Sequence, residues 1–432
     1  MNQRQQAIEI FLAGVESVKP KNLIRNHVAI DNDNLWIDGT SFPLAAIRNI
    51  YVVGFGKASA AMSQALESIL CARISGGCVI TKYGHSVPQQ FIEIIEAGHP
   101  VPDENGLRGT AQILSIVKNA GRDDLVICLI SGGGSALLAD VPDGCTLEDI
   151  RLLNSLLLKT GADITEINCI RKHLSNVKGG HLAKAAYPAR LVSLIISDVI
   201  GDPLDVIASG PTTPDPTTFA DAVSILKKYH IEDKISNQMY RMLLDGMRDK
   251  QKETLKVSDE ALLNTTNLVI GTNMLALETA KEKAKSFGYD TQIVTNTLAG
   301  DVTDVAAYII ESVKVAGKHS CLLFAGEPTV KVTGTGLGGR NQHLALMIAN
   351  QLKDKPGITV LVAGTDGTDG PTDATGAIVD ACTWENASKL NLNMEQYIMN
   401  NDAYRFFKQE GGLIITGPTQ TNVMDLMITL IH

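Results

Sequence analysis

Twice in the first third of the chain, an apolar run ends in a glycine loop and then becomes a helical pattern. NIYVVGFGKASAAMSQALESIL begins at Asn49, and LVICLISGGGSALL begins at Leu125. A buried strand that passes through bare backbone into a helix belongs to a parallel sheet covered by helices. The strand-like runs GGCVITKYG, FIEIIEAG and ARLVSLIISDVIGD continue the pattern. Residues 230–262 are charged and helical, and are expected to bridge two domains. Beyond them the alternation resumes with TTNLVIGTNMLALETAKEKAKSFGY, CLLFAGEPTVKV and ITVLVAGTDGTDG. For 432 residues, two α/β domains are the natural division.

Composition excludes several classes. There are 47 acidic and 38 basic residues, a net charge of −9, which argues against a general nucleic-acid binder. No apolar run approaches the ~18–20 residues of a membrane span, so no membrane partner is expected. The first residues, MNQRQQAIEIFLAGVESV, read as an amphipathic helix and not as a signal peptide. The seven cysteines are scattered without a C-x-x-C pair, which suits reduced thiols in a cytoplasm and argues against zinc.

The loops carry the chemistry. GFGKAS supplies Gly54, Gly56 and Lys57 at a strand–helix turn, where backbone N–H groups and a helix terminus attract anions. It lacks the Walker A pattern and also the third glycine of a dinucleotide fingerprint. SGGGSA places Ser131, Gly132, Gly133, Gly134 and Ser135 in a second such turn. Three glycines are entropically expensive where one would serve, so this loop is read as a phosphate cradle. TGTGLGGRNQ leads into Arg340, a side chain suited to bidentate contact with phosphate or carboxylate. Asp198, Asp202 and Asp205 follow one strand, and Asp366, Asp369 and Asp373 follow another. Carboxylates at strand ends lie at the usual ligand crevice, and one or two would help hold magnesium. Arg171, Lys172, His173, Lys178 and His181 form a local basic stretch. Taken singly, each loop is also compatible with a plain turn, and the basic stretch with a solvated helix face. Together they suit phosphoryl transfer, where catalysis is mostly positioning and charge stabilisation.

The chain resembles the glycerate 2-kinases of the MOFRL type, a family also labelled hydroxypyruvate reductases. The matching stretches include VVGFGKAS, EAGHPVPD, LISGGGSALL, RKHLSNVKGGHLA, SDVIGDPLDVIASGPTTPD, GEPTVKVTGTGLGGRNQ, AGTDGTDGPTDATGAIVD and TGPTQTNVMDL. The resemblance implies an N-terminal Rossmann-like αβα domain and a smaller C-terminal α/β domain, here drawn at 1–238 and 239–432, with the active site in the cleft between them. It implies ATP-dependent phosphorylation of D-glycerate at the 2-hydroxyl, with Mg²⁺ or another divalent cation. Lys57, Arg340 and Asp198 match the family's catalytic positions. The two glycine loops would hold the nucleotide phosphates. Arg171, Lys172 and Asn341 would bind substrate, and Asp198 with Asp202 would hold the metal. Glu327, Asp366 and Asp369 complete the cleft candidates, and the general base is left open among the carboxylates. The chain departs from the family pattern at His343, Thr375 and Gln420. Gln420 stands where a glycine is usual, a position that could require positive φ. Two rival readings are NAD(P)H-dependent hydroxypyruvate reduction and a non-catalytic ligand-binding relative. The sequence leaves oligomeric state open.

Overall fold

The strands Ile50–Phe55 and Leu125–Ile130 lie side by side in parallel, with Ile50 opposite Leu125 and Phe55 opposite Ile130. The fold around them is that of a computed structural model describing residues 1–249, 252–353 and 355–432. It divides into two compact units, Leu23–Ile270 and the pair of segments Met1–Asn22 and Gly271–His432.

In the unit Leu23–Ile270, six strands form one sheet. Their order is Glu93–Ala97, Ile74–Lys82, Ile50–Phe55, Leu125–Ile130, Arg190–Ile196 and Thr265–Gly271. The first five are parallel neighbours. In chain order the sheet reads 3-2-1-4-5-6, the order of dinucleotide-binding sheets. Every residue of Leu125–Ile130 is buried, which explains a continuous apolar run in place of an alternating one. Val126, Cys128 and Ile130 share a core with Ile113 and Val117 of the helix Glu104–Asn119. A second core joins the helices Leu147–Thr160, Ile164–His173, Phe219–Lys228 and Asn237–Arg248. A small antiparallel sheet, Val28–Ile30, Asn34–Ile37 and Thr40–Pro43, completes this unit.

The other unit has a mixed six-stranded sheet. Its order is Asp290–Leu298, Ser320–Gly326, Asp425–Ile431, Ile358–Gly364, Gly376–Asp380 and Leu413–Ile414. The last strand of the chain inserts between Ser320–Gly326 and Ile358–Gly364, antiparallel to both. The N-terminal helix Gln3–Ser17 belongs here, not with the sheet that follows it in sequence. Gly14 meets the helix Asn273–Ser286 so closely that an added Cβ would lie 2.9 Å from the Ala276 carbonyl oxygen. Arg4 donates to both carboxylate oxygens of Asp380, at 2.7 and 2.9 Å.

Two expectations about organisation need revision. A boundary at 238/239 would cut the helix Asn237–Arg248, whose Met239 and Leu243 are buried in the helical core. The described part of 230–262 is no bridge but belongs to the unit Leu23–Ile270. Its charge decorates one face of a helix whose other face is apolar.

Candidate active site

The topology brings two of the sequence motifs together. Chain order reverses between the first and fourth strands of the parallel sheet, and ligands in such sheets bind outside the strand ends at that point. GFGKAS follows the first strand and SGGGSA the fourth. The loops are tied to each other: Lys57 N–H donates to the Gly132 carbonyl at 2.9 Å, and Ala58 N–H to Ser131 Oγ at 3.0 Å. Ser131 therefore joins the loops. Gly54 lies within the strand itself, where a Cβ would strike the Leu129 carbonyl oxygen at 2.8 Å.

The three glycines have a more specific cause than a bare cradle. A Cβ on Gly132 would lie 2.0 Å from Asp198 Oδ2. One on Gly133, at φ +81°, would lie 2.9 Å from the His99 ring, and one on Gly134 would lie 2.7 Å from Ala208 Cβ. The loop is bare because side chains from distant segments close over it. Lys57 reaches the same place: its Cγ is 3.4 Å from the Gly133 Cβ position. Burial, with the nearby charges of Lys57, Lys82 and His85, pushes the His99 imidazole down to about 4. His99 is thus neutral at pH 7. Sequence reasoning left it without a role, although it stands in the EAGHPVPD motif.

A cavity of about 600 Å³ opens beside Gly133 and Ser135. One wall is apolar, with Ile150, Leu153, Leu158 and Leu174, and another carries Arg171 and Lys178. Arg171 donates to Asn154 Oδ1 at 2.8 Å, and among the described residues no carboxylate pairs with it. Burial alone draws its pKa below the ordinary value. Arg171 is half-buried at the cavity wall, and its guanidinium, without a carboxylate partner, is open to an anionic ligand. Lys178 is only 6% exposed; it donates to the Leu138 carbonyl at 2.7 Å and lies 3.5 Å from Asp140. Lys172, expected beside Arg171, goes elsewhere. Its ammonium is buried between Asp215 at 3.1 Å and Asp205 at 3.3 Å, because successive helical residues point to different sides. Asp202 has positive φ, 54°, and a buried carboxylate oxygen without a hydrogen-bond partner.

In the other unit, Arg340 opens the helix Arg340–Gln351. It donates from Nε and Nη2 to Asp425, at 2.6 and 3.2 Å, and from Nη1 to Glu327 at 2.7 Å. Burial works against its charge, but the two carboxylates hold its pKa above the ordinary value. Asn341 donates to the same Asp425 at 3.0 Å. Asp425, at the start of the final strand, was absent from the candidate set; its signal was the carboxylate of TGPTQTNVMDL. Asp369 accepts the backbone N–H groups of Asn341 and Gln342, at 3.1 and 2.8 Å, and caps a helix whose N-cap residue is Gly339. A Gly339 Cβ would lie 2.2 Å from the Asp369 carboxyl carbon. Burial pushes Asp369 up to about 6. Asp366 accepts from Thr368 N–H in a local turn at 3.1 Å. Gly334 and Gly336 press against the Asn400 carbonyl, so this glycine loop too is shaped by close packing.

The departures from pattern are placed as follows. Gln420 has φ +64°, the left-handed region the sequence comparison with glycine suggested. Thr375 is buried and donates to the Gly364 carbonyl. His343 is buried, with Nδ1 lacking a partner.

Comparisons with known proteins agree with this arrangement. A domain family of unknown function, DUF4147, matches residues 6–244, and the MOFRL family matches residues 320–425. The glycerate 2-kinase of Pyrococcus horikoshii is 39% identical, covering 100% of this chain and 98% of that protein. A protein of Agrobacterium vitis provisionally named a hydroxypyruvate reductase is 40% identical, covering 99% of this chain and 94% of its own. The crystal structure of glycerate kinase from Thermotoga maritima superposes with a TM-score of 0.87 at 40% identity, covering 99% of each chain. With its parallel sheet and its Arg340 helix matched along the whole length, the chain belongs to the glycerate kinase family of the MOFRL type.

Proposed function

We propose that the chain transfers the γ-phosphoryl group of ATP to the 2-hydroxyl of D-glycerate, giving 2-phosphoglycerate and ADP. The observation that carries this reading is the end-to-end match to a glycerate 2-kinase, at 39% identity. The site supports it. Lys57 lies at the topological switch point beside the SGGGSA loop, where a phosphate would sit. Arg340 is the second cation assigned to the transferring group, with Asp425 and Glu327 orienting its guanidinium. Arg171 offers an unpaired positive charge to an anionic ligand. Asp198, folded over Gly132, is the carboxylate we assign to the reacting hydroxyl, since Asp369 is taken up by its helix.

Among the described residues, no group of three His, Cys, Asp or Glu side chains is placed to hold a metal ion. Magnesium entering with ATP needs only one or two protein carboxylates, and the unpartnered oxygen of Asp202 fits that demand. When bound, the ion neutralises phosphate charge. Seven free cysteines support a cytoplasmic setting, and no helix among the described residues is long and apolar enough to cross a membrane.

The test is incubation with ATP, Mg²⁺ and D-glycerate, with products resolved by NMR, beside a control holding NADH and hydroxypyruvate. We expect 2-phosphoglycerate in the first tube and unchanged NADH in the second. A 3-phosphoglycerate product would overturn the regiochemistry. NADH oxidation without phosphoglycerate would overturn the kinase.

A further inference from the structure

Ser135 lines the cavity that Arg171 and Lys178 also line. Its hydroxyl oxygen is 2.9 Å from that of Ser209. Ser209 Oγ donates in turn to Asn168 Oδ1 at 3.0 Å. A serine hydroxyl carries one proton and two acceptor lone pairs. The Ser209 proton is committed to Asn168, so Ser135 must donate in the contact between the two serines. Only lone pairs of Ser135 are then left for the cavity.

The surroundings hold this direction in place. Ser209 is 0% exposed and Asn168 2%, so bulk water offers no alternative partner. Ser209 is also the middle of three consecutive residues with positive φ: Ala208 at 51°, Ser209 at 61° and Gly210 at 59°. Non-glycine residues visit that region rarely and usually singly. Strain of this kind persists only where the surrounding structure over-determines it, and it clusters at functional sites.

We infer that Ser135 is a specificity residue: it accepts a hydrogen bond from a hydroxyl of an anionic ligand whose charge is met by Arg171. The α-phosphate oxygens of a nucleotide, deprotonated at neutral pH, have no proton to offer and would face the Ser135 lone pairs. This replaces the phosphate-binding role expected of Ser135 from the glycine loop. The ligand class is a hydroxyl-bearing anion. If the chain is a glycerate kinase, as proposed above, such an anion has two sources, the hydroxy acid and the ribose of the nucleotide.

The experiment measures dissociation constants by calorimetry for the wild type, Ser135→Ala, Ser209→Ala and Asn168→Asp. The acid arm compares D-glycerate with D-lactate, which lacks the 3-hydroxyl, and with 3-hydroxypropanoate, which lacks the 2-hydroxyl. The nucleotide arm compares ADP with its 2′-deoxy and 3′-deoxy forms. Inorganic sulfate, a tetrahedral anion with no proton at neutral pH, is the third probe. We expect the wild type to bind one hydroxyl-lacking analogue about tenfold or more weakly than its parent, because the bound analogue covers the Ser135 acceptor and leaves it unpaired. Ser135→Ala should abolish that preference. Ser209→Ala should reduce it, because the Ser135 proton is freed to turn toward the cavity. Asn168→Asp, which keeps an acceptor for Ser209, should retain it. The arm in which the preference falls identifies the source.

The inference is overturned if the wild type shows no hydroxyl preference in either arm. It is also overturned if Ser135→Ala leaves every ratio unchanged, or weakens only inorganic sulfate. Ser135 is partly exposed, so its alanine variant carries the test even if Ser209→Ala fails to fold. Glycerate turnover by the wild type is measured alongside. Its absence would sink the proposed function, while the binding ratios would still decide the role of Ser135.

Discussion

Arg340 has two duties that pull in different directions. It is the cation we assign to the transferring phosphoryl group, and it also neutralises Asp425, whose side chain is 3% exposed. With Arg340 as the assigned catalytic cation, Arg340→Ala should lose turnover. The geometry predicts a second effect, since that variant strands a buried carboxylate, at a cost of about 3–5 kcal/mol. Arg340→Lys separates the duties. It keeps a charge near Asp425 but loses the planar fork. We expect turnover to fall about 10²-fold or more, with a melting temperature well above that of Arg340→Ala. Near-normal turnover of Arg340→Lys would remove Arg340 from the catalytic set. Gln420 gives a gentler test at this scale. Its φ of +64° disfavours a side chain by about 1–2 kcal/mol. Glycine relieves that strain but enlarges the freedom of the unfolded chain by about 0.4–1 kcal/mol. Gln420→Gly should therefore leave the denaturation midpoint unchanged or slightly raised; a clear loss of stability would show that the Gln420 side chain makes a contact worth more than the strain.

At the scale of elements, the helix Arg340–Gln351 starts without a capping side chain of its own. Asp369, reaching from a loop after the strand Ile358–Gly364, supplies the acceptor. Burial raises its carboxyl from the ordinary 3.8 to about 6. The folded protein thus binds this proton more tightly than the unfolded chain does. The resulting stability is full below about pH 4 and is lost as pH rises through about 6. Asp369→Asn cannot titrate. The stability advantage of the wild type over it should be larger at pH 4 than at pH 7 in urea denaturation. An advantage that grows with pH would contradict the assignment. This cap was illegible in the sequence because Gly339 and Asp369 are distant along the chain. The strands and helices themselves were legible, since apolar runs, glycine turns and helical spacing are local signals. Lys172 shows the limit. Arg171 and Lys172 are adjacent in sequence, yet one lines the cavity and the other is sealed between Asp205 and Asp215.

At the scale of the whole molecule, the first 22 residues belong to the unit formed by the last 162, Gly271–His432. Gly14→Val would force the helix Gln3–Ser17 away from Ala276, and overpacking of this kind costs about 1–3 kcal/mol. Hydrogen exchange should show amides of Ile358–Gly364 losing more protection than those of Leu125–Ile130. Equal loss in both would contradict the division into units. The sequence by itself determined the alternating α/β class, the family and the identity of the loops, because each rests on residues close together in the chain. Only the tertiary structure decided why three glycines follow Leu125–Ile130: Asp198, His99 and Ala208 close on the loop from distant segments. It also decided which basic side chain faces the cavity, which carboxylate caps a helix and which way the Ser135 proton points. Each of these depends on partners far away in sequence, and burial sets the strength of their interaction.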